Sequence, residues 1–147
     1  MTVWFDMDGT LVDFYGVENW LDYLMESNPY PYLVAEPMMR FSTLAKRLNL
    51  MRKNGYKVGI ISWLAKNSND EFDALVTNAK LSYIKKHLPS VEFDEIHIVK
   101  YGTPKYEFAD YGDVLFDDEM PNREAWERNG GTAYDVNNIL EILKDIA

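Results

Sequence analysis

Val3–Trp4–Phe5–Asp6–Met7–Asp8–Gly9–Thr10 is the stretch on which the fold turns. A short apolar run that stops at acid residues and a Gly-Thr turn reads as a buried strand delivering two carboxylates at its end. The pattern recurs at Lys57–Val58–Gly59–Ile60–Ile61–Ser62, at Glu95–Ile96–His97–Ile98–Val99 and at Val114–Leu115–Phe116, which stops at Asp117–Asp118. Gly131–Thr132–Ala133–Tyr134 supplies a fifth strand. Helical spacing fills the gaps: Phe72, Leu75, Val76, Ala79 and Tyr83 predict a helix from Asn69 to Leu88. Met38 to Asn54, closed by Gly55, is a second; Asn122 to Asn129, closed by Gly130, and Asn137 to Ile146 follow. Strands alternating with helices predict an α/β fold, a parallel sheet with helices on both faces. The stretch from Phe14 to Tyr56 is too long for a plain crossover. Its first half, roughly residues 14–37, reads as a small helical insertion over one end of the sheet, in a chain otherwise forming one domain over 1–147.

Composition narrows the chemistry. With 147 residues, 47% hydrophobic and 27% charged, the chain is a globular domain and not a disordered segment. Zero cysteines exclude disulfides, thiol nucleophiles and cysteine-based zinc sites, and two histidines exclude a multi-histidine metal centre. His87 and His97 read as structural. A net charge of −9 repels a phosphate backbone, so generic nucleic-acid binding is disfavoured. The apolar runs are far shorter than a membrane span, and the start of the chain lacks a basic, then apolar, leader. The expectation is a cytoplasmic protein with no membrane partner.

Ligands of open parallel sheets bind beyond the carboxyl ends of the strands. Asp6 and Asp8, Ser62, Asp117 and Asp118 all fall there, and Lys105 lies at the expected start of the helix after strand three. Crowded carboxylates repel one another unless a cation sits between them, and hard oxygen donors favour Mg²⁺. A phosphate could then approach the acidic cluster. A lone Asp-x-Asp is most often a solvated turn, and an Asp-Asp pair is usually a helix cap, here before Pro121. The convergence of both with Ser62 and Lys105 favours the functional reading.

Asp6–Met7–Asp8–Gly9–Thr10–Leu11–Val12 resembles the first motif of the haloacid dehalogenase (HAD) superfamily of phosphotransferases. Ser62 after Gly59–Ile60–Ile61 resembles the second motif, Lys105 the third and Leu115–Phe116–Asp117–Asp118 the fourth. In the third, Lys100 competes with Lys105, which Thr103–Pro104 favours as a helix start. The resemblance implies a HAD-like fold, a Rossmann-like parallel sheet with a small helical cap, and phosphomonoester hydrolysis through an aspartyl-phosphate. Asp6 would be the nucleophile, Asp8 the acid and base, Ser62 a hydrogen-bond donor to the phosphoryl group and Lys105 a neutralising charge. Magnesium would be held by the Asp6 side chain, the Asp8 backbone carbonyl and the fourth-motif acids, with Asp118 touching the ion and Asp117 supporting it. Gly9 would let the backbone turn tightly beneath the phosphate, with Thr10 beside it.

Asp6–Met7–Asp8–Gly9–Thr10–Leu11–Val12–Asp13–Phe14, the small insertion and the Asp-Asp fourth motif followed by Asn122 are together similar to the 5′(3′)-deoxyribonucleotidase-like branch. That implies a nucleoside monophosphate substrate, with Asp13, Phe14 and Trp63 beside it. Other aromatic residues, Tyr15, Trp20, Tyr30 and Tyr32, lie near the expected mouth. The alternatives are a general sugar-phosphate phosphatase, a response-regulator receiver and a non-catalytic scaffold. A receiver needs a phosphorylated Asp at the end of strand three, where Val99–Lys100 stands instead. An oligomer is compatible with all of these.

Overall fold

The computed structural model describes residues 1–146, so the last residue of the expected 1–147 domain lies outside them. Five strands form one parallel sheet: β1 (Thr2–Phe5), β2 (Lys57–Trp63), β3 (Glu95–Val99), β4 (Val114–Phe116) and β5 (Thr132–Tyr134), in the order β3-β2-β1-β4-β5. Among the described residues six α-helices accompany them: α1 (Trp20–Met25), α2 (Tyr30–Val34), α3 (Phe41–Lys53), α4 (Asp70–His87), α5 (Met120–Arg128) and α6 (Ile139–Ile146). The chain runs outward from β1 to β3 and then crosses back to β4. The direction of winding therefore reverses between β1 and β4, where open α/β sheets place their ligands.

Strand alternation builds two apolar layers. Val3, Phe5, Val58, Ile60, Val114 and Phe116 pack with Leu44, Leu48 and Met51 of α3, Phe72 and Val76 of α4 and Leu143 of α6. On the opposite face Trp4, Ile61 and Leu115 meet Trp126 of α5. Every residue of β1 is buried, as a strand covered on both faces requires. Gly59 is what lets Trp4 lie flat on its neighbour strand, because a Cβ there would stand 2.5 Å from the indole.

Several boundaries differ from the sequence expectation. Helix α3 begins at Phe41 and not at Met38, because the Met38 N–H is donated to the Leu11 carbonyl at 2.8 Å. Together with Asp13 N–H to the Glu36 carbonyl at 2.7 Å, this bond ties the two ends of the insertion into a closed stem. From that stem emerge a 3-10 turn (Phe14–Gly16), α1 and α2. Within the helical insertion the Tyr30–Val34 segment is itself a helix, with Pro31 in its first turn where no amide donor is missed. Asn138 adopts a left-handed conformation (φ 67°), which delays α6 to Ile139. After β3 the expected α-helix is only a 3-10 turn, Lys105–Phe108. In α4 Asn69 caps the Phe72 amide at 2.8 Å, with acids in the first turn and bases in the last, favourable at both ends of the helix dipole. Its inner face carries the expected Phe72, Val76, Ala79 and Tyr83, but Leu75 is 45% exposed and Lys80 is buried in its stead.

Candidate active site

β1 ends at Phe5, and the Asp6 amide is donated to the Phe116 carbonyl of β4 at 3.0 Å, so the acids following both strands meet. The chain then turns sharply. The Met7 carbonyl accepts from Thr10, Leu11 and Val12 at 3.1, 2.9 and 3.0 Å, and Gly9 takes φ +80°. A side chain at Gly9 would be strained at that φ and would run into the Asp118 carboxylate. The turn thus brings β1 and β4 acids closer than any other residue would allow.

Carboxylate oxygens of Asp6, Asp117 and Asp118 all lie within 4.8 Å of one another. Lys105 Nζ stands 3.0 Å from Asp6 Oδ1 and 2.8 Å from Asp117 Oδ2. Burial works against the Lys105 charge, but the Asp6 and Asp117 carboxylates outweigh it and hold the ammonium above its ordinary pKa. Lys105, not Lys100, is therefore the lysine of the cluster; the Lys100 side chain is 79% exposed and faces Asp70 at 3.8 Å. Asp117 is fully buried and spends its oxygens on Lys105, the Glu119 amide (2.8 Å) and Asn122 Nδ2 (3.2 Å). Asp118 faces outward, sharing the Thr10 hydroxyl (3.3 Å) with Asp6 Oδ2 (3.2 Å).

One ammonium does not balance three acids. Burial first, and then the Asp6 charge, push Asp117 up to about 6 and Asp118 up to about 8. Carboxyls driven to hold protons this way are what a bound cation would relieve, and three clustered oxygen donors suit a hard dication. The residues present fit magnesium.

Asp8 takes the other side of the opening. Its Oδ2 accepts from Lys80 at 3.0 Å; burial raises its pKa, opposed by the Lys80 charge and reinforced by Asp6. Ser62, at the end of β2, is buried and accepts from Lys80 at 2.6 Å. Lys80 is the residue that sequence reading passed over. Its signal was present, since it stands four residues after Val76 and three before Tyr83, a charge set into an apolar stripe.

The opening is a cavity of about 700 Å³ bounded by Asp6, Asp8, Lys105, Asp118, Glu119 and Asn122 at its base. Phe14, Tyr15, Trp20, Leu21, Leu24 and Tyr32 of the insertion line one wall, and Trp63, Leu64, Lys66, Phe72 and Tyr101 line the other. Phe14 and Trp63 are thus at the cavity as expected, and Gly9, Thr10, Ser62 and Asp117 stand at or behind its base. Asp13 is not. At the start of the 3-10 turn, exposed Asp13 lines a separate shallow depression with Gly16, Val17, Val34 and Glu36. The expectation that it touches substrate is corrected accordingly. Tyr30 also lies off the cavity wall, ring to ring with Tyr23.

The sequence matches no protein-family model, and no curated protein is significantly similar to it. Solved structures do match. A D,D-heptose 1,7-bisphosphate phosphatase from B. bronchiseptica, solved with magnesium and phosphate, superposes with TM-score 0.64 at 13% identity over 99% of both chains. The corresponding enzyme from Burkholderia thailandensis gives 0.58 at 13% identity, covering 99% of this chain and 97% of its own. A predicted HAD-like family hydrolase from Porphyromonas gingivalis gives 0.56 at 15% identity, again over 99% and 97%. The chain has the HAD-like fold. In this HAD-like chain the ends of β1 and β4 carry the acid cluster, β2 brings Ser62, and the turn after β3 brings Lys105. Among the described residues no helix is long and apolar enough to cross a membrane.

Proposed function

We propose that the chain is a Mg²⁺-dependent phosphomonoester hydrolase of the HAD superfamily that works through an aspartyl-phosphate on Asp6. The observation that carries the reading is the Asp6 carboxylate, flanked by Lys105 and two further acids at the floor of an open cavity, with a fourth acid, Asp8, beside it. Two structural neighbours are phosphatases, one solved with magnesium and phosphate, which supports the same chemistry here.

Asp6, Asp118 and the Asp8 backbone carbonyl would hold the magnesium, with Asp117 backing them. Bound there, it supplies positive charge that lets a phosphate dianion approach the carboxylates. A carboxylate oxygen of Asp6 attacks phosphorus and the bond to the ester oxygen breaks. Asp8 gives its proton to that departing oxygen, a role its burial-raised pKa assists. A water molecule then attacks the phosphorus of the aspartyl-phosphate and gives its proton to Asp8, freeing inorganic phosphate and restoring the Asp6 carboxylate. Lys105 neutralises charge on Asp6 throughout, and Ser62 would donate to a phosphoryl oxygen.

The substrate we infer is a small phosphomonoester with a flat apolar group, a nucleoside monophosphate being the best match. The wall of Tyr15, Trp20, Trp63 and Tyr101 favours it, and beyond the acid floor only Lys66 offers a cation among the lining residues. A sugar phosphate would leave that aromatic wall unused. The test of the activity is turnover of an aryl phosphate with and without Mg²⁺ by the wild-type chain and by Asp6→Asn. Hydrolysis that needs magnesium and vanishes in Asp6→Asn is expected. Full activity in excess chelator or in the variant would overturn the mechanism.

A further inference from the structure

We infer that Lys80 is a positioning residue of this site: it aims Asp8 and Ser62 at the substrate and does not touch the substrate itself. The inference rests on the phosphatase reading above and adds to it a residue outside the four motifs. Lys80 is 1% exposed, on the inner face of α4. An ammonium carries three protons and no acceptor. Three oxygens surround this one: Asp8 Oδ2 at 3.0 Å, Ser62 Oγ at 2.6 Å and the Trp63 carbonyl at 2.7 Å. Every proton has its acceptor, so none remains for a phosphoryl oxygen. The Tyr32 ring, with its centroid 5.2 Å from Nζ, packs against the same group from the insertion.

The direction of these bonds decides what the neighbours can do. Because Lys80 can only donate, Ser62 Oγ is the acceptor, and its own hydroxyl proton is given to no acceptor among the described residues. Ser62 itself is fully buried behind the cavity's base, so that proton is left for a phosphoryl oxygen brought down beside Asp8. Asp8 likewise has Oδ2 engaged, while its Oδ1 accepts from no group among the described residues and the side chain lines the cavity. One cation thus presents a donor from β2 and a carboxylate oxygen from the β1 turn. Packing does not account for a lysine here, since a methionine would fill similar volume with no ammonium to desolvate.

The test compares wild type, Lys80→Met, Asp8→Asn and the double variant on aryl phosphates, with crystal structures of wild type and Lys80→Met. Lys80→Met should lower kcat by about 10²-fold, the cost of a misaimed group, with little change in KM. In the Asp8→Asn background the same substitution should cost much less, because its principal target is gone. Asp8 and Ser62 should leave their wild-type orientations in the Lys80→Met crystal. If the single variant fails to fold, the double variant, which leaves no carboxylate unpaired, carries the comparison with Asp8→Asn. Unchanged kcat, a raised KM at unchanged kcat, equal losses in both backgrounds, or Asp8 and Ser62 unmoved in the crystal would each overturn the inference. An inert wild-type enzyme would instead sink the phosphatase reading, and the crystal comparison would then decide Lys80 alone.

Discussion

Lys105 Nζ lies 3.0 Å from Asp6 Oδ1, although 99 residues separate the two in sequence. The pair is buried, and a third group, Asp117 Oδ2, shares the ammonium at 2.8 Å. Lys105 is therefore both the counter-charge of Asp6 and a tie between the turn after β3 and the ends of β1 and β4.

Lys105→Met should lower kcat by roughly 10²–10³-fold through loss of charge stabilisation. Stranding Asp6 and Asp117 without their cation should also destabilise the fold by about 3–5 kcal/mol. Lys100→Met should do neither, since its exposed pairing with Asp70 is of the kind worth about 0–1 kcal/mol. Urea unfolding and aryl-phosphate kinetics on the two variants check this, and matching effects would reassign the lysine.

Asp8 should be separable from Asp6 by leaving group. Asp8→Asn should slow hydrolysis by roughly 10²–10⁴-fold on esters of poor leaving groups. Good leaving groups need no proton, so single-turnover phosphorylation of Asp6 should suffer far less with them. Magnesium binding should persist, because the ligand expected at residue 8 is its carbonyl. An equal loss of phosphorylation rate for both ester classes would remove Asp8 from the acid role.

Magnesium should stabilise the protein more as pH rises. Asp117 and Asp118, pushed up to about 6 and about 8, hold protons in the folded metal-free protein that the unfolded chain has released above its carboxylate range near 4. More protons bound when folded means that stability falls with rising pH across about 4 to 8, and the penalty is complete above that window. A bound dication needs both groups ionised and removes the penalty. The difference in Tm with and without Mg²⁺ should therefore widen between pH 5 and 8. A gap that stays constant or narrows would mean that these carboxylates do not hold the metal.

The strand pattern made the sheet legible because β1, β2 and β4 are short apolar runs ending in chemistry-bearing residues. That local signal also located Asp6, Asp8, Ser62 and Asp117–Asp118. What it could not reach was set by tertiary contacts. That α4 buries Lys80 and leaves Leu75 exposed depends on which groups wait beneath the helix, namely Asp8 and Ser62. Thr103–Pro104 already favours Lys105 over Lys100, though the reason is the long-range contact to Asp6 and not an α-helix start. Asp13 stands next to the first motif in sequence, yet it is the N-cap of the 3-10 turn Phe14–Gly16 and its carboxylate lies over Gly16, away from the cavity, which adjacency to the motif does not reveal.

Nucleoside monophosphates, deoxy forms included, should be preferred over sugar phosphates. A base stacked on an aromatic side chain gains about 1–3 kcal/mol, or about 5- to 150-fold in affinity, and a sugar has no flat face with which to gain it. The choice of variant matters. Phe14 is 2% exposed and stacks on Tyr32 at 4.5 Å, so Phe14→Ala would excavate the core, cost about 3–5 kcal/mol and slow every substrate alike. Tyr15 and Tyr101 line the cavity yet are 49% and 52% exposed, so they can be truncated with little damage to packing. Specificity constants over a panel of deoxyribonucleotides and sugar phosphates should favour the nucleotides in wild type. Tyr15→Ala and Tyr101→Ala should narrow that preference by lowering the nucleotide values while leaving the sugar phosphates nearly unchanged. If sugar phosphates win in wild type, or both truncations slow the two classes equally, the aromatic wall does not read a base. The site is then that of a general small-molecule phosphatase.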